Sequence, residues 1–149
     1  SRICSAAEHS KYNHMVKKPK IGNCSRVDQA VSVAAVKIAN EIGAKGLVVL
    51  TEGGNTSRWM SRINTSLPIY ALSRDATTLG TMTLFRGVVP IYFDSTRMSK
   101  LYVNRSACME LETREFAKDG DILVLTSGDS MGVHGSTNKI KVIIAGQVR

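Results

Sequence analysis

Five short apolar runs alternating with stretches of helical periodicity predict an α/β protein, with a mostly parallel five-stranded sheet and helices on both of its faces. Three observations carry this expectation. The run Gly46-Leu47-Val48-Val49-Leu50-Thr51 is continuously apolar, as in a strand buried on both faces. Apolar residues recur at helical spacing between the successive runs. The last two runs are joined by Ser127 to Asn138 with no helical pattern, so the final strand is expected to be antiparallel.

Taken in order, the segment Arg2 to His9 makes a short helix with Ile3, Ala6 and Ala7 on one face, and Tyr12 to Ser25, with Pro19, Gly22 and Asn23, reads as a linker. Val27, Val31, Ala34, Ala35, Ile38 and Ile42 then mark a helix, with Ser25 as its cap, Asp28 in its first turn and Gly43 as its stop. After the first strand, Glu52-Gly53-Gly54-Asn55 turns into a helix from Thr56 to about Ile63. Ile69 to Leu72 is a second strand, introduced by Pro68. Asp75 to Phe85 is a helix with Leu79 and Met82 inward. Val88 to Phe93 is a third strand, whose Pro90 marks an edge or a bulge. A helix from Arg97 to Phe116 places Leu101, Cys108 and Leu111 on one side, and Asp121 to Thr126 and Lys139 to Ile144 are the fourth and fifth strands.

The composition bounds the function. With 149 residues, 43% hydrophobic and 21% charged, the chain is long enough for one well-packed domain and too apolar for whole-chain disorder. No apolar run reaches the length of a membrane span, and Ser1-Arg2-Ile3-Cys4 carries no apolar h-region, so neither a membrane partner nor a secretory signal is expected. Cys4, Cys24 and Cys108 are an odd set without CxxC spacing, which indicates no disulfide framework or zinc site and a reducing, cytoplasmic setting. The net charge of +8 sits in two blocks, residues 1–27 and 58–105, each with a net charge of +5. The second is rich in arginine, which favours small anions or carboxylates. No aromatic residues interleave with it, and no nucleic-acid-binding motif is present, so nucleic acid is not an expected partner.

Two segments could carry chemistry. Thr51-Glu52-Gly53-Gly54-Asn55-Thr56-Ser57 lies between a buried strand and a helix, where ligands gather in open α/β sheets. Its glycines admit close backbone approach, the helix start supplies partial positive charge, and Thr51, Thr56 and Ser57 add hydroxyls. The same residues equally suit a capped strand-to-helix turn. It is neither a Walker A loop nor a GxGxxG loop. The second segment, Ser127-Gly128-Asp129-Ser130 through Gly135-Ser136-Thr137, consists of small residues and reads either as a loop that orders on a ligand or as a plain hairpin loop. His134 has no partner at metal-ligand spacing. Ser127, Asp129 and His134 lie close in sequence without a nucleophile elbow, and Cys108 faces the apolar side of its helix. No catalytic residue set and no metal site emerges.

The ordered set of motifs resembles the C-terminal domain of pyruvate kinase. It is carried by Thr51-Glu52-Gly53-Gly54-Asn55-Thr56, Met60-Ser61-Arg62-Ile63, Leu67 to Arg74, Leu84 to Asp94, Lys118-Asp119-Gly120-Asp121 and Gly135-Ser136-Thr137-Asn138. The likeness covers residues 26–149 and is nearest to the bacterial type activated by AMP or sugar phosphates. It implies a three-layer α/β/α domain that binds a phosphorylated effector and helps assemble a homotetramer. Thr51 to Thr56 would be the phosphate loop and Ser127 to Thr137 the effector loop. Residues 1–25 would be the end of a helix and linker leading from a catalytic barrel domain. Phosphoryl transfer between phosphoenolpyruvate and ADP, with magnesium and potassium, would occur in that barrel, so this chain is expected to be inactive by itself.

Two departures from the family pattern matter. Gly53 stands where a serine is common, and Glu52 brings a carboxylate near the expected anion, which disfavours a tightly held bisphosphate unless Glu52 turns away or meets a ligand hydroxyl. Arg74 and Arg105 are the candidates for holding a second phosphate. The alternative reading is a stand-alone α/β module or small enzyme that binds a phosphorylated metabolite in the same cradle.

Overall fold

A computed structural model describes residues 24, 26–63, 65–129 and 135–147. The expected Arg2–His9 helix, the linker apart from Cys24, the Ser25 cap, Ser130 and His134 lie outside the described residues. The elements are α1 (Val27–Glu41), β1 (Gly46–Leu50), α2 (Asn55–Arg62), β2 (Ile69–Ser73), α3 (Ala76–Met82), β3 (Val88–Tyr92), α4 (Lys100–Thr113), β4 (Ile122–Gly128) and β5 (Thr137–Ile144). They build one five-stranded sheet in the order β3-β2-β1-β4-β5, parallel except for β5, which runs antiparallel to β4. This is the fold class that the sequence predicts.

The apolar runs alternate between two cores because successive strand residues point to opposite faces. Leu47, Val49, Ile69 and Val124 face α1 and α2, meeting Ala35, Val36, Ala39 and Met60. Val48, Tyr70, Leu72, Leu123 and Leu125 face α4, meeting Val103, Ala107, Cys108 and Leu111. Pro90, which has no N–H for the ladder, sits on β3 at the sheet's edge, opposite Ala71 of β2.

Several boundaries and faces differ from expectation. On α1 the buried residues are Asp28, Ser32, Ala35, Val36 and Ala39, while Val27 is 66% exposed and Ile42 40%. The small side chains of Ser32, Ala35 and Ala39 let the helix lie close to the sheet, and this outweighs the larger aliphatic stripe one residue to the side. On α4 the buried stripe is Val103, Ala107, Cys108 and Leu111, and Leu101 projects outward. α3 begins after Asp75, whose carboxylate accepts the Thr78 N–H at 3.1 Å, and it ends at Met82. Its last expected turn continues instead as i to i+3 bonds to Leu84 and Phe85. The hairpin is longer than expected. Ser127 pairs with Lys139 and Gly128 with Thr137, so four residues assigned to the loop belong to strands.

Candidate functional site

The strand order reverses between β1 and β4, and a cleft opens at the carboxyl ends of the parallel strands there. Its wall combines Thr51, Glu52, Asn55 and Thr56 from the β1–α2 turn, Ser73 and Arg74 from the end of β2, and Gly128, Gly135, Ser136 and Thr137 from the hairpin. Leu50, Leu72, Phe93 and Val103 form its apolar floor. The enclosed volume is about 50 Å³, room for a few waters or one phosphate-sized group.

The turn is shaped from within. Gly54 caps α2 at φ 80°, its N–H donates to Thr51 Oγ1 at 2.9 Å, and a Cβ there would stand 3.2 Å from Met82 Cγ. Ser57 is fully buried. Its hydroxyl donates to the Gly54 carbonyl at 2.9 Å and approaches Met82 Sδ at 3.1 Å, so it holds the turn from behind. Thr56 Oγ1 meets Thr137 Oγ1 at 2.7 Å, both side chains buried, joining the start of α2 to the start of β5. Thr51 accepts in its bond to Gly54, which leaves its own O–H as a donor. The first-turn N–H groups of α2 have no acceptors within the helix, and Asn55 and Thr56 carry that end of the helix into the cleft.

Among the described lining residues Arg74 is the one cation and Glu52 the one carboxylate, and they pair at 3.4 Å (Nε to Oε2). Glu52 is further fixed through its backbone, since its carbonyl accepts the Thr78 hydroxyl at 2.8 Å. The carboxylate is thus turned to Arg74. Arg105 is exposed on α4 and does not line the cleft. Beside the cleft, hydrogen bonds from Thr96, helped by Arg97 and Arg74, hold the Asp94 carboxyl below the usual range. On the hairpin, Lys139 and Asn138 hold Asp129 below it in the same way, and Lys100 Nζ donates to the Asp129 carbonyl at 3.1 Å.

The structure therefore brings together eight of the loop residues singled out in sequence as lining of one cleft: Thr51, Glu52, Asn55, Thr56, Gly128, Gly135, Ser136 and Thr137. Gly53, Gly54 and Ser57 shape the turn without lining the cleft, and Ser127 and Asp129 lie at the hairpin's base. Sequence reasoning missed Ser73 and Ser95. Ser73 is the last residue of β2 and Ser95 lies three residues past the end of β3, so the rule that pointed to the carboxyl end of β1 would have found them.

Other chemistry finds little footing. Cys108 is buried, and burial together with the neighbouring Glu112 pushes its thiol up to about 11, away from nucleophilic use. Among the described residues no group of three or more His, Cys, Asp or Glu could hold a metal ion. No described helix is long and apolar enough to cross a membrane.

Comparison with known proteins gives a consistent result. Residues 29–143 match the family described as "Pyruvate kinase, alpha/beta domain". The chain is 32% identical over 144 residues to the pyruvate kinase of Buchnera aphidicola subsp. Acyrthosiphon pisum, and 31% identical over 144 residues to pyruvate kinase II of Salmonella typhimurium. In each case the alignment covers 96% of this chain and 30% of the relative. The pyruvate kinase of Dictyostelium discoideum is 29% identical over 99% of this chain and 30% of its own length. The chain spans about a third of the curated relatives it matches. With its fold and the family match in agreement, the chain belongs to the pyruvate kinase family and carries that family's alpha/beta domain.

Proposed function

We propose that this chain is the effector-binding and assembly part of a pyruvate kinase, and that the cleft takes the phosphate of a small metabolite such as AMP or a sugar phosphate. The observation that carries the reading is the Thr56–Thr137 contact, which joins the Thr51–Ser57 turn and the hairpin as two walls of one phosphate-sized cleft. The start of α2, the Thr51 hydroxyl and Arg74 supply the donors that an anion needs.

Phosphoryl transfer from phosphoenolpyruvate to ADP belongs, in this reading, to the remaining two-thirds of a full-length enzyme, with residues 1–25 as the end of its leading helix and linker. The magnesium and potassium that such transfer uses would be held there as well; among the described residues of this chain no group of three or more His, Cys, Asp or Glu could hold a metal ion. Assembly into a homotetramer and a cytoplasmic setting complete the proposal.

A thermal-shift titration with AMP, ribose 5-phosphate, glucose 6-phosphate and fructose 1,6-bisphosphate tests it. Binding stabilises by about 2.7 kcal/mol when ligand exceeds Kd roughly a hundredfold. At least one monophosphate is expected to raise Tm in a dose-dependent way, and Arg74→Ala is expected to weaken that response. A flat response to all four overturns the reading. An upstream reading frame without a barrel domain would favour a stand-alone module instead.

A further inference from the structure

Arg26 stands just before α1, outside the cleft lining, yet it touches the cleft's wall from behind. Its partner Asp28 is only 1% exposed, and a carboxylate so placed requires a cation. Arg26 supplies it through two bonds, Nε to Oδ1 at 3.0 Å and Nη2 to Oδ2 at 3.1 Å. This planar fork is thereby held against the hairpin. A Cβ built on Gly135, which has φ +71°, would lie 2.5 Å from Arg26 Nη2. Gly135 thus abuts the Nη2 end of the guanidinium, whose Cζ lies farther from that Cβ, at 3.8 Å.

Two residues later comes Thr137, whose hydroxyl meets Thr56. On the α1 side, Ser32 Oγ donates to the Asp28 carbonyl at 2.6 Å and lies 3.5 Å from the Thr56 carbonyl. Arg26, Asp28, Ser32, Thr56, Thr137 and Gly135 therefore close a ring through three segments that are distant in sequence. Three members of the ring, Thr56, Gly135 and Thr137, line the cleft, and Ser136 lies between the last two.

We propose that Arg26 is a positioning residue for the cleft: clamped by Asp28, its guanidinium is the seat that sets where Gly135, Ser136 and Thr137 stand in the cleft wall. Only the ligand-binding part of the test rests on the anion-site reading. A lysine would still neutralise Asp28 but has a single nitrogen and no fork to carry one arm to Gly135, which separates positioning from charge balance.

Hydrogen exchange on the full chain tests this. Arg26→Gln and Arg26→Lys are both expected to speed exchange of the amides at 135–139 by roughly twofold to fivefold, the scale of one partly exposed charged bond, while β1 and β2 keep their protection. A double-mutant cycle with Gly135→Ala adds a second readout. The strain of an alanine at positive φ is common to both backgrounds and cancels, so coupling between positions 26 and 135 reports their close approach. The new Cβ meets Nη2 only where Arg26 is present, and Gly135→Ala is expected to cost less in the Arg26→Gln background. Inorganic phosphate is expected to bind several-fold more weakly to both Arg26 variants. Unchanged exchange at 135–139, exchange that rises equally throughout the sheet, wild-type exchange in Arg26→Lys, or an additive cycle overturns the proposal. If the wild-type chain binds no phosphate while exchange and coupling behave as stated, the positioning role holds and the anion-site reading fails.

Discussion

The hydroxyls of Thr56 and Thr137, 81 residues apart in sequence, meet at 2.7 Å and tie the first turn of α2 to the first residue of β5. Both side chains are buried, so each is the other's means of satisfying a group removed from water. Thr56→Val or Thr137→Val is expected to destabilise the chain by about 1–2 kcal/mol, because the remaining hydroxyl is left unpaired. The double variant is expected to cost less than the sum of the two singles. Urea unfolding of the four proteins measures this, and strict additivity would show that the pair contributes nothing as a pair.

Gly54 answers for the shape of the turn. At φ 80°, with Met82 Cγ 3.2 Å from a prospective Cβ, it is a poor position for any side chain. Gly54→Ala is expected to cost about 1–2 kcal/mol from backbone conformation alone. Its effect should reach Ser57 and Thr51, which bond to its carbonyl and N–H. Denaturation midpoints and phosphate titration of the same variant report the two consequences separately.

The Glu52–Arg74 pair sets the electrostatics of the cleft. Arg74 is 43% exposed, so the bond itself is worth little to stability. Glu52→Gln is expected to leave stability within about 0.5 kcal/mol of wild type. Removing the carboxylate also frees Arg74 and lifts its repulsion of an anion. Calorimetric titration with phosphate is expected to show a gain of roughly twofold to tenfold, largest at low salt. Weaker binding in this variant would mean that Glu52 meets the ligand as an acceptor.

Cys108 gives a pH dependence of definite sign. Its thiol titrates at about 11 in the folded chain, raised from an ordinary 9.0 chiefly by burial. Below the lower value both states hold the proton, and its contribution to stability is intact. As pH rises through that interval the unfolded chain gives up its proton first, so stability falls. Tyr70, raised by burial and by Asp121, adds in the same direction. Chemical denaturation between about pH 8 and about pH 11 is expected to show a steeper decline for wild type than for Cys108→Ala. Equal slopes would place the loss elsewhere.

How far the fold could be read in advance follows from the range of each signal. Strand runs such as Leu47-Val48-Val49 and the inward spacing of Val103, Ala107 and Leu111 are local patterns, set by side-chain direction in strands and helices. The β1–α2 turn was equally legible, because glycines and hydroxyls at the end of a buried strand mark where a ligand can approach backbone donors. α1 was misread because aliphatic bulk and burial part company there. Val27 and Ile42 fit the helical period, yet Ala35 and Ala39 are the residues that let the helix settle on the sheet.

By itself, then, the sequence determined the order of the elements, the parallel sheet with its antiparallel last strand, the family and the turn at the end of β1. The tertiary structure alone decided the partners: Thr56 with Thr137, Glu52 with Arg74, and Arg26 with Gly135. The reason is physical. Local periodicity records which way each side chain points, whereas a contact between distant segments depends on strand order, packing distance and side-chain rotamers, which exist only once the layers have come together.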